Sequence, residues 1–178
     1  MSASTRRWWT GPAPEGSPRV AGASEAAALV AAVLDPELPV LTIEDLGILR
    51  DVKEVDGRVH VSITPTYSGC PAMEAIRDDV VTALAEHGYH DVRVDFVLSP
   101  AWTSDWMSQA GRRKLEEYGV APPAPRPAGT PVSLTLSLRC TQCGSPDTRE
   151  LSRFGSTACK ALWVCNECHE PFDLFKTI

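Results

Sequence analysis

Two short cysteine pairs constrain this chain more than any other feature. Cys140-Thr-Gln-Cys143 and Cys165-Asn-Glu-Cys168 stand twenty-one residues apart. A CxxC turn aims two thiolates at one point, and two such turns supply the four that a tetrahedral Zn²⁺ takes at about 2.3 Å per sulfur. Gly144, directly after the first pair, suits the tight turn of such a knuckle. The segment between the pairs is expected to form a hairpin. A module this short, with few large apolar side chains, draws much of its folding energy from the metal. Four thiolates leave no open coordination position, so the expected role is structural. Thiolate sets also hold iron, and the spacing alone leaves zinc and iron both open. The competing reading, buried cysteines or a redox pair, fits the regular spacing less well, and 178 residues can build a core without disulfide staples. Cys159 and His169 lie beside the second pair and are read as bystanders to it.

The chain upstream differs in kind. Ser24 caps a helix whose stripe is Ala26, Leu29, Val30, Val33 and Leu34, and Pro36 stops it. Thr42-x-x-Asp45 can cap a short turn that Gly47 closes. Ile48 to Val55 reads as a strand with imperfect alternation. Asp56-Gly57 is a hairpin dipeptide leading to a second strand with Val59, Val61 and Ile63 on one face. A second helix begins at Pro71, with Met73, Ile76, Val80 and Leu84 as its buried stripe and Gly88 beyond its end. Val92, Val94, Phe96 and Leu98 alternate as a third strand. Trp102 to Trp106 is expected to enter a third helix that runs to about Tyr118, with the two tryptophans on one face. Pro122 to Pro127, with Pro131, is a proline-rich spacer, and Val132, Leu134, Leu136 and Leu138 alternate as a last strand.

The expected fold class is α+β: a small three-stranded mixed sheet packed with helices, followed by a four-cysteine zinc ribbon. The expected organisation is a disordered tail over 1–22, an α+β domain over 23–120, a linker over 121–131 and the ribbon over 132–178. Seventeen Lys and Arg against 23 Asp and Glu give a net charge of −6. With one tight basic cluster, Arg112-Arg113-Lys114, this balance argues against nucleic acid and against an anionic membrane surface. No apolar run reaches the length of a membrane span. Thr5-Arg-Arg-Trp-Trp9 has the look of a twin-arginine start, but prolines and acids separate it from the apolar stretch at 26–34, so a cytoplasmic setting is expected.

Cys70 is the only cysteine before Cys140. It falls where a strand pattern ends and a helix pattern begins, in Thr64-Pro-Thr-Tyr-Ser-Gly-Cys-Pro71. At a helix N-cap the unpaired N–H groups and the dipole favour a thiolate, which could ligate metal or act as a nucleophile. Gly69 leaves room for close approach. The plain alternative is a small apolar residue packed under the sheet. No histidine is spaced to pair with this thiol. Glu37 and Asp45 read as solvated loop carboxylates. There is no nucleotide or flavin loop and no Glu-x-x-His pair of a di-iron bundle, so a catalytic role for the chain by itself is not expected.

Several motifs together resemble a known family. Asp35-Pro-Glu37, Glu44-Asp-Leu-Gly47, Thr64 and Gly69-Cys-Pro71 are similar to the small iron–sulphur assembly domain of SufT-like factors, over about residues 24–100. Ser99-Pro-Ala-Trp-Thr-Ser-Asp-Trp106, Gly111-Arg-Arg-Lys-Leu115 and Phe154-Gly-Ser-Thr-Ala-Cys-Lys-Ala-Leu162 extend the resemblance to the C-terminus, where the chain resembles the D subunits (PaaD-type) of bacterial phenylacetyl-CoA epoxidase systems. The resemblance implies an accessory to a multicomponent monooxygenase that helps mature an iron–sulphur or di-iron centre. It implies a functional thiol at Cys70, with Asp35, Thr64, Gly69 and Pro71 shaping its surroundings. It also implies structural Zn²⁺ on Cys140, Cys143, Cys165 and Cys168, and iron or an iron–sulphur cluster bound in passing. The implied partners are the oxygenase or reductase subunits. A second copy of the chain is a further candidate; nucleic acid and membrane are not.

Overall fold

The computed structural model describes residues 24–123 and 138–177. The N-terminal tail, most of the linker and the expected strand positions Val132, Leu134 and Leu136 lie outside the described residues.

Ser24 accepts the Ala27 N–H at 3.2 Å and caps α1, Glu25–Ala31. The helix stops well before Pro36. Leu34, expected on its buried stripe, is instead exposed and makes an isolated antiparallel bridge to Thr42. The Asp35-Pro-Glu-Leu-Pro loop is then pinned by Asp35 N–H to Leu41 C=O, 2.9 Å. The capping pair appears as expected: Asp45 N–H donates to Thr42 Oγ1 at 3.0 Å, and Thr42 N–H to Asp45 Oδ2 at 3.3 Å. It closes a turn rather than opening a helix.

β1, Leu49–Val55, and β2, Arg58–Ile63, form an antiparallel hairpin. Asp56 and Gly57 both take positive φ, 53° and 78°, which the tight turn requires. A register shift between Leu49 and Asp51 accounts for the imperfect alternation of β1. α2, Ala72–Ala85, then crosses over to β3, Asp91–Phe96, which lies parallel to β2. Parallel neighbours need such a crossover. The resulting order is β1-β2-β3. Val59, Val61 and Ile63 of β2 are fully buried, as are Ile76, Val80 and Leu84 of α2. β3 is an edge strand, and its alternation fades outward to the exposed Phe96 and Leu98.

The third helix differs from expectation. Ser104–Trp106 is a single 3-10 turn capped by Thr103, and Met107 is extended. α3 is Gln109–Glu117, capped by Ser108, whose Oγ accepts the Gly111 N–H at 2.8 Å. Two successive hydroxyl caps break what apolar spacing alone reads as one helix. Trp102 and Trp106 therefore share no helix face. Both are buried: Trp102 Nε1 donates to Leu46 C=O at 3.0 Å, and the Arg50 guanidinium sits 4.0 Å from the centroid of the Trp106 ring.

The second sheet has the order β4-β7-β6-β5, from β4, Val120–Ala121; β5, Thr148–Ser152; β6, Lys160–Cys165; and β7, Pro171–Phe175. β4 lies where the linker was expected to begin, yet it pairs in parallel with β7. The two modules share a core. Phe175, 1% exposed, meets Trp102 edge-on at 6.1 Å between ring centroids, and Cys159 is buried in the same cluster as Val30, Leu41 and Ile63.

Candidate metal centre and thiol site

The two CxxC knuckles are built alike. Gly144 N–H donates to Cys140 C=O at 2.9 Å, and His169 N–H to Cys165 C=O at 3.0 Å. The first cysteine of each pair is tied back in the same way: Cys140 N–H to Ser145 C=O, 2.9 Å, and Cys165 N–H to Glu170 C=O, 3.1 Å. Gly144 and His169 hold equivalent left-handed positions, φ 75° and 63°. His169 is thus the turn residue of the second knuckle, and its ring is not part of the sulfur group.

The four sulfurs lie within 4.8 Å of one another. Cys140 and Cys168 are 3.7 Å apart, and Cys143 and Cys165 are 3.6 Å apart. Four sulfurs about 2.3 Å from a central ion lie about 3.8 Å from each other, so the group has the dimensions of a tetrahedral thiolate site. Backbone N–H groups point at two of the sulfurs, Gln142 N–H at Cys140 (3.4 Å) and Cys168 N–H at Cys165 (3.5 Å). The Cys168 N–H is the main reason that the Cys165 thiol is held down, at about 7. The fit is to a soft, four-coordinate ion with no open position.

Cys70 sits elsewhere, half-buried on the loop that leaves β2. The helix begins one residue later than expected. Pro71 is the N-cap, without a side-chain cap bond, and Cys70 contributes its carbonyl to Met73 N–H at 3.4 Å. Its thiol is not the depressed, helix-activated group that the sequence suggested. Burial pushes it up; the Ala72 N–H and Tyr67 hydroxyl offset this in part, while Glu37 and Asp35 add to it. Desolvation by the neighbouring core outweighs the field of the helix start.

The shaping residues take distinct places. Asp35 is 8% exposed, and its Oδ1 accepts Glu37 N–H (2.9 Å) and Leu38 N–H (2.8 Å). Burial raises its carboxyl above the ordinary range, against those two bonds and the pull of Lys160. Thr64 is 1% exposed, just past the end of β2, and its Oγ1 has no hydrogen-bond partner among the described residues. Gly69 has φ +84° with open space where a Cβ would stand, so its glycine serves the backbone conformation. Pro71 is exposed.

Three residues near Cys70 or its neighbour Asp35 are not predicted from the sequence as site residues: Tyr67 acts on Cys70, Lys160 on Asp35, and Cys159 lies in the field of Asp35 and Glu37. Burial pushes the Tyr67 hydroxyl up to about 12, and the field of the Cys70 thiol adds to this. Cys159 comes from the ribbon. The sequence signal for it was a thiol left over after two complete CxxC pairs. Asp45 also differs from expectation. It is buried, and it takes Ser108 Oγ at 2.8 Å, Lys114 Nζ at 2.6 Å and, through its carbonyl, Ser108 N–H at 2.9 Å. A Cβ on Gly47 would collide with the Trp106 backbone. Asp45-Leu-Gly47 is therefore the seat for the 102–115 segment.

Comparison with known proteins agrees with this two-part construction. Residues 25–100 match the family described as iron-sulfur cluster assembly protein, and residues 124–176 match the PaaD zinc beta ribbon domain. The chain is of the class that joins an iron–sulphur-assembly-type α+β domain to a zinc ribbon. Over 151 residues it is 46% identical to an Escherichia coli (strain K12) protein, covering 85% of this chain and 90% of that one. That relative is named as the D subunit of a "Putative 1,2-phenylacetyl-CoA epoxidase". The chain belongs to this D-subunit family. Its first half is also similar to shorter proteins. It is 43% identical over 85 residues to the Fe-S protein maturation auxiliary factor YitW of Bacillus subtilis, covering 47% of this chain and 82% of that protein. It is likewise 43% identical over 85 residues to the auxiliary factor SufT of Staphylococcus aureus, covering 47% of this chain and 96% of that protein. Among the described residues no helix is long and apolar enough to cross a membrane.

Proposed function

We propose that this chain is a non-catalytic accessory factor of a multicomponent phenylacetyl-CoA epoxidase, the system that epoxidises the ring in aerobic phenylacetate breakdown. In this reading it assists assembly of an iron–sulphur or di-iron centre in the oxygenase or reductase, in the cytoplasm, and Cys70 handles the iron or cluster in passing. Membership in the D-subunit family and similarity to Fe-S maturation factors support it.

The observation that carries the assignment to Cys70 is its placement. The thiol is half-exposed at the edge of a buried core, with Glu37 and Asp35 close enough to act on it. A carrier must bind and release. A thiol kept protonated by its surroundings loses its proton to solvent when an arriving cation displaces it, and carboxylates nearby favour that cation. The ribbon, by contrast, encloses its ion with four sulfurs, which suits a Zn²⁺ that stays.

The test is metal and acid-labile sulphide analysis of wild type beside Cys70→Ala, each coexpressed with the epoxidase subunits. One zinc per chain in both, with iron or sulphide on wild type alone and an iron-poor epoxidase in the variant, is the expected result. Full iron occupancy of the epoxidase with Cys70→Ala would sink the assignment. It would leave a docking component that acts through the ribbon, where Phe154 stands 71% exposed.

A further inference from the structure

We propose that the free edge of β3 is a self-pairing surface, on which a second copy of this chain adds its own β3 in antiparallel register centred on Val94. The inference goes beyond the reading of Cys70 and rests on the sheet alone.

β3 stands at the end of the order β1-β2-β3, and among the described residues no strand pairs with its other side. One bond fixes the direction of its free groups. Val97 N–H donates to Ile63 C=O at 2.8 Å, so residue 97 faces β2. Backbone groups alternate sides along a strand. Asp91, Arg93 and Asp95 therefore face β2 as well, while Val92, Val94 and Phe96 aim their N–H and C=O outward. A row of such groups is a template for another strand. The opposite edge is guarded, since β1 carries a register irregularity between Leu49 and Asp51 and a lysine, Lys53, two devices that discourage edge pairing. β3 pairs with β2 in unbroken register and has neither proline nor lysine.

The side chains decide which strand fits. An antiparallel register centred on Val94 sets Val94 against its copy, Val92 against Phe96, and Arg93 against Asp95. Val92, Val94 and Phe96 then fall in hydrogen-bonded pairs. Arg93 and Asp95 fall in the non-hydrogen-bonded positions, where opposed side chains come closest. Unlike charges and an aromatic against a β-branched residue are favourable cross-strand pairs. Centring on Arg93 would oppose Arg93 to itself and Asp91 to Asp95; centring on Asp95 would oppose Asp95 to itself. Centring on Val92 or Phe96 leaves half or more of the strand unpaired. In the single chain the Arg93 guanidinium lies along its own strand, 2.9 Å from Asp95, with both side chains open to solvent. Phe96, 41% exposed, gains Val92 of the second copy as cover. The product is one continuous sheet, running β1-β2-β3 and back through the second copy, with both α2 helices on the same face. So short a seam is at the small end of protein interfaces, and the dimer it makes is reversible.

The experiment is sedimentation equilibrium of the zinc-loaded full chain over a dilution series, with amide hydrogen exchange at both ends of it. Wild type should pass reversibly between monomer and dimer. The amides of Val92, Val94 and Phe96 should exchange more slowly in the dimer, while those of Arg93 and Asp95 stay protected at every concentration. Arg93→Glu and Asp95→Lys each set like charges opposite one another twice, and each should raise the dissociation constant on the order of tenfold. Mixing the two variants sets unlike charges opposite again and should restore a dimer of wild-type strength. Zinc content and the thermal transition check that each variant is folded; should one fail to fold, the exchange of the three outward amides in wild type decides. A wild type that stays monomeric throughout overturns the proposal. A dimer that neither variant weakens, or one that leaves the three outward amides unprotected, forms elsewhere and also overturns it. Protection of those amides without any dimer would show that another part of the same chain covers the edge, which overturns the second copy as occupant. None of these outcomes bears on Cys70.

Discussion

Replacing Asp45 with alanine tests whether the Asp-Leu-Gly motif holds the fold. The carboxylate takes the Ser108 hydroxyl at 2.8 Å, Thr42 N–H at 3.3 Å and Lys114 Nζ at 2.6 Å. The hydroxyl and the amide are part-buried, and each is worth about 1 kcal/mol. Lys114 is 43% exposed, and solvent screening leaves its ion pair about 0.5 kcal/mol. Together about 2–3 kcal/mol is lost, which lowers the melting temperature by about 5–10 °C in a chain of this size. The pH dependence has a definite sign. Burial would raise the Asp45 carboxyl, but Lys114, Ser108 and the Thr42 amide outweigh it and hold it below its ordinary value. Its contribution is therefore present above the unfolded carboxylate pKa, about 3.9, and is lost as pH falls through the folded value. Urea unfolding of wild type and Asp45→Ala at pH 7 and in acid measures both. A variant within about 0.5 kcal/mol of wild type at pH 7, or a gap that widens in acid, would refute the reasoning.

Gly47→Ala combines a left-handed φ, costing about 1–2 kcal/mol, with a clash against the Trp106 backbone that adds about 1–3 kcal/mol of overpacking; a fall in the urea midpoint, or loss of soluble protein, is expected. Asp35→Asn should act in the opposite sense to Asp45. Burial raises the Asp35 carboxyl, so wild type loses stability as pH rises from the unfolded pKa through the folded one. The asparagine keeps the Oδ1 acceptor and escapes that loss, so its advantage in urea midpoint should be larger at pH 7 than in acid. Removing the ribbon metal with a chelator should expose the amides of β5, β6 and β7 to hydrogen exchange while β2 stays protected, because among the described residues the ribbon's own buried cluster has four. Unchanged protection of β6 without metal would show that the sheet stands on packing alone.

The parts of this fold written in local chemistry were readable in advance. Asp56-Gly57 announces its turn, the Met73, Ile76, Val80 and Leu84 stripe its helix, and the CxxC pairs their common centre. What misled was apolar spacing without attention to hydroxyl caps. Val33 and Leu34 extend the stripe of α1 on paper, yet the helix ends at Ala31 and Leu34 turns outward. Trp102 and Trp106 have helical spacing, yet Thr103 and Ser108 each start a separate element. Burial reversed two electrostatic expectations, since neither the raised Cys70 thiol nor the enclosed Asp45 carboxylate follows from neighbours in sequence. Tyr67, Cys159 and Lys160 gather only through contact between modules, and no local pattern encodes a meeting across some ninety positions of chain.

Because β4 pairs with β7, the proline-rich segment leaves from and returns to the same module. The described residues on either side of that segment, Ala121 and Leu138, both pack on the ribbon's buried cluster. Lengthening a connection whose two ends are so held is cheap, about 0.6 kcal/mol for each doubling, so insertions there should leave the β4–β7 pairing in place. A protease cut in it should give two fragments that stay together. Any swing of the ribbon against the sheet would have to be taken up before Val120, where Gly119 holds φ +88° between α3 and β4, and one residue allows little travel.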